Sequence, residues 1–408
     1  MTATRATVDG ILKEIYEGDV NDALNEEEVT SRRLEKTSEG VIDTVGGKRV
    51  VFPVRHRRNS SIQYRAENTQ LAAAGRQGYI AATEDLKYGY GRFSITGPTM
   101  ELAETNQQAF MSALDGEIDG LKGDASKDRN RIIYGNARNP VNSCTGILAM
   151  ISAGAISATQ NVAIGSTQPF DVGMVVDLVL ESTGVPIAGG TALTILSVND
   201  VTGVIVFSGS TTTLTTTAIV RTGNYNQEPF GLSTLVNNVG TVHGINSGTA
   251  GNEFWRSVVD PTTTTLTENA MISLCDQVRR RAGGAGKPTA IFCSLGVRRA
   301  YYGLMQAQRR FIEPKQFEGG LVGLSFNHGK EIPVVEDIDC PSRTMYFLNE
   351  KNIKIYRRKD WYFEDSDGAI LKWDDNFDRF QGLLKCYWQM ATGMRNSHGV
   401  MTNITEPA

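Results

Sequence analysis

The stretch from Asn139 to Val220 contains no lysine or arginine, although the whole chain carries 41 basic residues. It is rich in Thr, Ser, Gly, Val and Ile, which favour strands and turns over helices. A change of composition this sharp at both ends indicates a β-rich module inserted into another fold. Only four acidic residues interrupt the stretch: Asp171, Asp177, Glu181 and Asp200.

Alternating apolar residues between turn signals predict four strands within this stretch. Short strands at such close spacing are typical of a small barrel or sandwich. The expected strands are 172–180, 191–198, 203–207 and 217–222.

The chain also lacks the patterns of a disulfide framework, an export signal and a membrane span. The cysteines are odd in number and form no CxxC pair, which predicts reduced thiols. No apolar run reaches 18 residues, and the first residues are polar and acidic, so neither membrane insertion nor export is expected. The five cysteines are Cys144, Cys275, Cys293, Cys340 and Cys386.

Patterns of catalysis and cofactor binding are missing as well. Gly286-Lys287-Pro288 follows a predicted helix and precedes a strand, whereas a phosphate cradle needs the order strand, loop, helix. Asp365-Ser-Asp367 lacks the third oxygen ligand and the distal Glu of a calcium loop. We therefore expect no catalytic residue, no metal and no cofactor. The histidines are expected in loops or interfaces, far apart in sequence: His56, His243, His328 and His398.

The net charge of −4 conceals a strong division along the chain. Residues 1–40 hold five basic and ten acidic residues, and residues 41–98 hold nine basic and four acidic residues. An acidic arm followed by a basic segment can be complementary within one chain or between neighbouring chains. The basic segment contains a strand at 50–54 and alternates again at 88–96, which predicts a long two-stranded ribbon with these strands as its two sides. Such a ribbon needs a partner surface.

Helical periodicity follows the ribbon at about 99–135. Further on, Thr265-Leu-Thr-Glu268 resembles a capping box before a helix at 269–281, which Gly283-Gly284 would end. Ser294 is expected to cap a second helix that runs to Arg310. The remaining segments predict strands at 290–293, 332–335, 345–348, 353–356, 361–363, 370–373 and 384–388.

This order of segments resembles the major capsid proteins of tailed bacteriophages, which share the Hong Kong 97-type fold. The most specific similarity is Gly323-Leu-Ser-Phe-Asn-His-Gly-Lys-Glu-Ile-Pro-Val-Val-Glu-Asp-Ile-Asp339, followed by the run 341–349, Pro-Ser-Arg-Thr-Met-Tyr-Phe-Leu-Asn. Both are similar to the family's recurring Pro-Val-Val, acidic and Tyr-Phe-Leu-Asn pattern.

The resemblance implies an α+β capsid fold with an inserted small all-β domain. The implied parts are an N-terminal arm, an extended loop, a peripheral domain with a spine helix, the inserted domain, an axial domain and the C-terminal strands of the peripheral domain. Their expected ranges are 1–45, 46–98, 99–155, 156–225, 226–350 and 351–408. Some family members cross-link neighbours through a lysine of the extended loop, but Lys87 has no matching partner in this sequence.

The resemblance also implies a structural subunit that assembles into pentamers and hexamers of an icosahedral shell around double-stranded DNA, bound without sequence specificity. Portal, scaffold or decoration proteins are expected partners, and assembly is expected in the host cytoplasm. The alternatives are an encapsulin-like compartment shell, a surface-attached β-domain adhesin and, least favoured, a soluble enzyme.

We expect the basic ribbon to lie on a neighbouring subunit. Its arginines would face acidic residues of the spine helix, while apolar side chains would supply most of the binding energy. The candidate contact residues are Arg55, Arg57, Arg58, Arg65, Leu71, Tyr79, Ile80, Leu86, Lys87, Glu101 and Glu104, with Arg76, Arg92, Asp115, Glu117 and Asp119 as further candidates.

Overall fold

The computed structural model describes most of the chain beyond residue 27. The described residues are 28–36, 41–43, 49–71, 73–98, 107–135, 144–151, 161–163, 166–209, 217–307, 325–327, 331–365 and 371–407. They fall into two compact units. The smaller unit comprises Gly91–Ala125 and Phe363–Leu384, and the larger comprises the described remainder from residue 28 onward.

Five α-helices lie entirely within the described chain. The long helix α2 falls where helical periodicity predicts the spine helix, and its first expected residues, 99–106, lie outside the described residues. The helices are α1 (Val29–Lys36), α2 (Gln107–Tyr134), α3 (Leu232–Leu235), α4 (Glu268–Ala282) and α5 (Leu295–Ala307).

A mixed six-stranded sheet, which we call the axial sheet, forms the centre of the larger unit. Its strand order is β13-β22-β17-β14-β16-β15. The pairs β13–β22 and β14–β16 are parallel, and the other three pairs are antiparallel. The strands are β13 (Val258–Asp260), β14 (Ala290–Cys293), β15 (Ser325–Asn327), β16 (Glu331–Glu336), β17 (Met345–Leu348) and β22 (Gly399–Met401).

Both faces of the axial sheet are buried, which explains why β14 and β17 read as continuous apolar runs. On one face, Phe292 and Leu348 pack in a cluster with Ile133 at the end of α2 and Leu34 of α1. The other face packs against α4 and α5 in a second cluster. The assignment of residues 351–408 to peripheral C-terminal strands stays a prediction, although residues 399–401 form a strand of this sheet. Their strand lies between β13 and β17 because both neighbours offer unpaired edges there.

Helix α4 begins and ends with distinct caps. The hydroxyl of Thr267 accepts a hydrogen bond from the amide of Ala270 at 3.2 Å, so Thr267 is the N-cap. The capping box predicted from Thr265 is therefore wrong, because the chain at Thr265 has not yet entered the first turn. Gly283 ends the helix at φ +73°, as predicted, in the left-handed region that glycine adopts without steric cost.

The stretch without basic residues forms a second six-stranded sheet, in the order β5-β10-β7-β8-β9-β6. The four predicted strands are all present, and every pair in the sheet is antiparallel. The sheet begins before the expected boundary at residue 156, because β5 pairs with β10. The strands are β5 (Ile147–Met150), β6 (Asn161–Ala163), β7 (Val175–Leu180), β8 (Leu193–Asn199), β9 (Val204–Phe207) and β10 (Thr217–Arg221).

This second sheet has a hydrophobic cluster of its own, centred on Leu178, Ile195 and Phe207. It is tied to the end of α2 by ion pairs: Arg221 contacts Asp128 at 3.0 Å, and Arg131 contacts both Asp128 and Glu228. The neighbouring cations hold the pKa of Asp128 below its usual value, although burial opposes them as the largest single influence. That this region is a separate inserted domain stays a prediction.

A third sheet combines strands that are distant in sequence. In the larger unit, β1 pairs in parallel with β18, which pairs antiparallel with the last residues of β21. In the smaller unit, β20 pairs antiparallel with the first part of β21. The strands are β1 (Val41–Asp43), β4 (Lys87–Thr96), β18 (Ile353–Arg357), β19 (Tyr362–Phe363), β20 (Leu371–Trp373) and β21 (Arg379–Thr392).

Glycines allow close packing within the smaller unit. Leu121 of α2 lies against Gly91, and the ring of Phe93 occupies the space beside Gly382. Phe93 also meets Phe363 edge-on, with ring centroids 5.9 Å apart. Any side chain at residue 382 would displace the Phe93 ring.

Two short pairs complete the described strands: β2 (Arg49–Arg57) with β3 (Gly78–Asp85), and β11 (Thr241–Val242) with β12 (Ile245–Asn246). The first pair is the predicted ribbon, but its returning side is β3. The prediction that 88–96 returns the ribbon is wrong, because β4 pairs with β21 in the third sheet.

Candidate assembly surface

The ribbon is an antiparallel pair in register from Arg49 opposite Asp85 to Arg57 opposite Gly78. Arg49 and Asp85, the first pair of this register, also form an ion pair, with 2.9 Å between Nε and Oδ1. No further strand among the described residues joins the pair. Both of its outer edges therefore carry backbone groups that no strand of the described chain satisfies.

A long loop at the far end of the ribbon, residues 58–77, is held by one side chain. Asn59 donates to the carbonyl of Gly75 at 3.0 Å and accepts from the amide of Ser61 at 2.9 Å. Its oxygen also occupies the space that a side chain on Gly75 would need. This bridge closes the loop across its base and fixes where the exposed residues beyond it lie.

The predicted arginines are exposed along the ribbon and its loop. Arg55, Arg57 and Arg58 follow one another at the end of β2, and all three are exposed. Within the part of the chain that the structure describes, no acidic side chain pairs with them or with Arg76. Arg65 bonds only its neighbour Gln63, at 2.6 Å. The ribbon therefore presents positive charge that no acidic side chain of the described residues pairs with.

Large apolar side chains are exposed on the same loop. Leu71 of the loop is 83% exposed, and Tyr79, at the start of β3, is 65% exposed. Sequence reasoning missed Ile62 and Tyr64, which are 84% and 101% exposed. The signal was present, because two large apolar residues interrupt a polar, basic loop. Together, these four side chains give the ribbon exposed apolar surface of the kind that contacts between proteins bury.

The other predicted apolar contacts face inward. Leu86 is buried, and Ile80 packs with Val54 and Trp255 in a cluster at the ribbon base. In this conformation Leu86 offers no surface to a neighbour, and Ile80 is only partly exposed. The reason is that residues near the base of the ribbon alternate toward the subunit's own core.

The remaining basic candidates make local contacts. Lys87 donates to the carbonyl of Asn226 at 2.7 Å, and Arg92 donates to the side chain of Gln381. Of the predicted acidic partners, Glu101 and Glu104 lie outside the described residues, as does the side chain of Asp115. Glu117 and Asp119 are exposed on α2, and Asp119 lies 3.9 Å from Lys122 of the same helix.

At its base, the ribbon meets a histidine that connects three segments of the larger unit. His243 lies in the turn between β11 and β12 and is 1% exposed. Its carbonyl accepts from the amide of Thr83 at 3.0 Å, and its ring contacts Glu84 and the amide of Thr392, both at 3.2 Å.

Two of the histidines predicted in loops or interfaces lie in short connections between elements, but the sequence did not indicate that both are buried. His243 is in a turn but buried, and His398 is also fully buried, with the amide of Asn349 donating to its Nδ1 at 3.3 Å. His56 is exposed on β2, and His328 lies outside the described residues. Burial lowers the pKa of His243 and brings that of His398 to about 3, so both rings are neutral at pH 7.

The described residues hold no cluster of three or more His, Cys, Asp or Glu side chains arranged to bind a metal ion. Within the same ranges, no helix is both long and apolar enough to cross a membrane. The structure joins none of the described cysteines in a disulfide.

Comparison with known proteins decides the family. A family profile described as SU10 major capsid protein matches residues 126–404, which is more than half of the chain. The chain belongs to the SU10 major capsid protein family. It is a structural subunit of a bacteriophage virion capsid that associates with copies of itself, and it is not an enzyme.

Solved structures show that this capsid subunit has the Hong Kong 97-type fold. It resembles the capsid asymmetric unit of cyanophage A-1(L), with a TM-score of 0.60, 16% identity, and coverage of 99% of this chain and 100% of that one. The capsid of a native GTA particle matches at a TM-score of 0.54 and 9% identity, over 99% and 100% of the two chains. A search of curated proteins found no match.

An encapsulin complex from Synechococcus elongatus PCC 7942 is also similar, at a TM-score of 0.47 and 8% identity, over 99% of this chain and 96% of that one. A similarity this low carries no argument for a compartment shell. The family match therefore favours the virion capsid over the encapsulin-like alternative.

Proposed function

We propose that this capsid subunit forms pentamers and hexamers of a closed shell around double-stranded DNA, and that its ribbon contacts a neighbouring copy. The observation that carries the proposal is the outer part of the ribbon, where Ile62, Tyr64 and Leu71 of the loop and Tyr79 of β3 are exposed. They lie in the same segment as arginines that have no acidic partner among the described residues. A second copy supplies what the loop lacks, namely apolar cover and negative charge.

Apolar burial dominates the energy of this contact. Full burial of a side chain such as Leu71 contributes about 1.5–3 kcal/mol, whereas an exposed ion pair contributes about 0–1 kcal/mol. The arginines instead set the register and orientation of the contact. Their proposed partners are the acidic residues of α2 and the segment before it: Glu101, Glu104, Asp115, Glu117 and Asp119.

Two ribbon variants test this contact. Tyr64→Ser with Leu71→Ser removes apolar surface, and Arg57→Glu with Arg58→Glu reverses the charge. We expect both to reduce the yield of particles in sedimentation and negative-stain microscopy, the apolar pair more severely. Thermal unfolding of the isolated subunits should be unchanged, because these side chains make no contacts in the core.

A matched control is Val201→Ser, which removes an apolar side chain that is 96% exposed but far from the ribbon in sequence. It should assemble like the parent chain. Normal particle yield from both ribbon variants, at low and high salt, would show that the ribbon is only a solvated surface. A parent chain that stays monomeric under every assembly condition would reject the shell itself.

The enclosed DNA is proposed to be held without reading its sequence, because the chain contains no recognisable base-reading motif. Particles from infected cells should protect DNA of mixed sequence from nuclease. Portal, scaffold or decoration proteins are further proposed partners, and assembly is proposed to occur in the host cytoplasm. Particle formation after expression of the chain alone would make a separate scaffold unnecessary.

The sheet β5–β10 is proposed to face the outside of the shell. Asp171 and Asp200 are exposed on it, and an inner wall close to DNA phosphates is expected to be neutral or basic. Asp177 does not contribute to this surface, because it binds the amide of Ala192 at 2.7 Å and the hydroxyl of Thr222 at 3.0 Å. An epitope tag in the exposed turn at 200–202 should bind antibody on intact particles. Binding only after disruption would place the sheet inside.

A further inference from the structure

A buried histidine joins the base of the ribbon to the rest of the larger unit, beside an apolar cluster around Trp255 and a hydrogen bond from Gln389 to the carbonyl of Asp85. We propose that His243 acts as a clasp, which keeps the ribbon base closed while its ring is neutral and releases it when the ring takes up a proton. The clasp belongs to the single subunit and does not depend on what the ribbon contacts.

The hydrogen bonds fix the protonation state of the ring. The amide of Thr392 on β21 donates to Nε2 of His243 at 3.2 Å, so Nε2 carries no proton. The single proton of the neutral ring is then on Nδ1, which donates to the carboxylate of Glu84 on β3 at 3.2 Å. The ring therefore bridges the ribbon and β21, and it can do so only in its neutral form.

The main chain adds a third connection and constrains residue 243. Its carbonyl accepts from the amide of Thr83, so two neighbouring residues of β3 bind to His243. The residue has φ +53°, in the left-handed region that residues other than glycine adopt infrequently, with Asn, Asp and His enriched among the exceptions. The turn thus aims this ring into the junction at some conformational cost, a pattern associated with functional positions.

Aromatic side chains from several segments keep water out of the junction. Phe52 on the ribbon meets the His243 ring edge-on, with ring centroids 5.5 Å apart, and also stacks with Tyr356 on β18 at 6.4 Å. Phe230 and Trp255 lie against the same histidine ring, at 5.9 and 6.3 Å. A proton on Nε2 would therefore create a buried cation without bulk water around it.

The charged groups near the ring decide the direction of the pH effect. Burial, as the largest influence, and the Arg395 guanidinium lower the pKa of His243, while Glu84 raises it, and the net result is below 6.5. His398 also faces the junction, through the Thr392 hydroxyl at 3.0 Å, and is itself neutral. Once the base opens, water restores an ordinary pKa, so opening takes up a proton and is favoured as the pH falls below 6.5.

The test is amide hydrogen exchange on the full-length subunit at pH 7.5 and 5.0, corrected for intrinsic exchange, at concentrations where sedimentation shows no particles. Peptides covering 78–86 and 389–393 report the two sides of the clasp. Peptides covering 290–293 report the axial core. We expect protection of the clasp peptides to fall by up to about 30-fold at pH 5.0, the limit for one proton and an ordinary pKa of 6.5.

Two variants assign the effect to residue 243. His243→Asn suits the left-handed conformation and retains an N–H for Glu84. Its side chain does not titrate and is too short to place its amide oxygen where Nε2 accepts from the amide of Thr392. Its clasp peptides should exchange fast at both pH values. His56→Asn, which alters the exposed histidine of the same ribbon, should behave like the parent chain.

Two results would overturn the clasp. The first is that the clasp peptides of the parent chain are equally protected at both pH values, or lose protection only when the peptides covering 290–293 lose it too. The other is a His243→Asn subunit that keeps the parent's pH response. Because the measurement uses unassembled subunits, a failure of the proposed ribbon contact between copies would leave its outcome unchanged.

Discussion

The carboxylate of Glu406 occupies the space beside Gly296 that a Cβ atom at residue 296 would need. One oxygen of this carboxylate accepts from the hydroxyl of Ser294 and from the amide of Arg343, both at 2.6 Å. Ser294 also caps α5 by accepting from the amide of Val297 at 3.3 Å. The end of the chain is thus bound to the start of α5, where a negative charge interacts favourably with the helix dipole.

Gly296→Ala should therefore destabilise the subunit by about 1–2 kcal/mol, measured by chemical denaturation. The new methyl group displaces the flexible Glu406 side chain, so the carboxylate loses its hydrogen bonds from Ser294 and Arg343. In a Glu406→Ala background the same substitution should be neutral or stabilising, because alanine favours helix by about 1 kcal/mol over glycine. Equal effects of Gly296→Ala in both backgrounds would contradict this account.

Arg395 is fully buried and has no carboxylate partner among the described residues. Its guanidinium donates to four carbonyls, those of Thr234, Leu235, Val239 and Trp255, at 2.8–3.3 Å. Burial lowers its pKa to about 10. The chain from 234 to 255 thus folds around one cation, which remains charged at pH 7.

Arg395→Met should cost at least about 3 kcal/mol of unfolding free energy, because it leaves several buried carbonyls without donors. Arg395→Lys should also destabilise, since an ammonium cannot span four carbonyls in the plane of a guanidinium. Arg299→Met on the exposed face of α5 is the matched control and should have little effect. A thermal scan in which Arg395→Met matches that control would disprove the role of Arg395.

His398 should make the subunit sensitive to acid. Its pKa of about 3 in the folded chain lies below the ordinary 6.5, so the neutral ring stabilises the fold above pH 6.5. This contribution decreases as the pH falls from 6.5 toward 3, by about 2 kcal/mol at pH 5.

His398→Gln should therefore be less stable than the parent at pH 7, but its unfolding free energy should fall less between pH 7 and pH 5. His56→Gln, on the exposed ribbon, should show the parent's full pH dependence. An unchanged pH dependence in His398→Gln would show that this ring is not the acid-sensitive group.

The two threonines before α4 provide a direct test of its cap. Thr267→Ala should destabilise by about 1 kcal/mol, because the amide of Ala270 loses its acceptor. Thr265→Ala, two residues earlier and exposed, should be near neutral in the same denaturation experiment. If Thr265→Ala destabilised the subunit more than Thr267→Ala, the capping box predicted from the sequence would be correct after all.

Local patterns fixed much of the fold in advance. Helix α4, the strands β7 to β10 and the apolar strands β14 and β17 fall where periodicity and turn residues predict them. The exposed ribbon arginines and Leu71 were also predictable, because a basic, Gly-rich segment offers few residues to a core. Each of these signals depends on residues within about ten positions of one another, so it can be read without knowing the tertiary structure.

Pairing partners were not predictable in the same way. Alternation identified 88–96 as a strand, but it did not show that 78–85 forms the strand that pairs with β2. Likewise, nothing near residue 399 indicates that its strand lies between β13 and β17. The burial of His243 depends on β3, β21 and Trp255, which are far apart in the chain.

The sequence by itself therefore determined three things. They are the sheet in the stretch without basic residues, the helix α4 with the glycine that ends it, and the resemblance that the family match confirms. The tertiary structure alone decided which strand closes the ribbon, which apolar ribbon residues remain exposed, and which histidines are buried. The physical reason is that propensity and periodicity act over one or two turns of chain. Strand pairing and desolvation, in contrast, depend on contacts between residues up to hundreds of positions apart, such as Thr30 and Asp337.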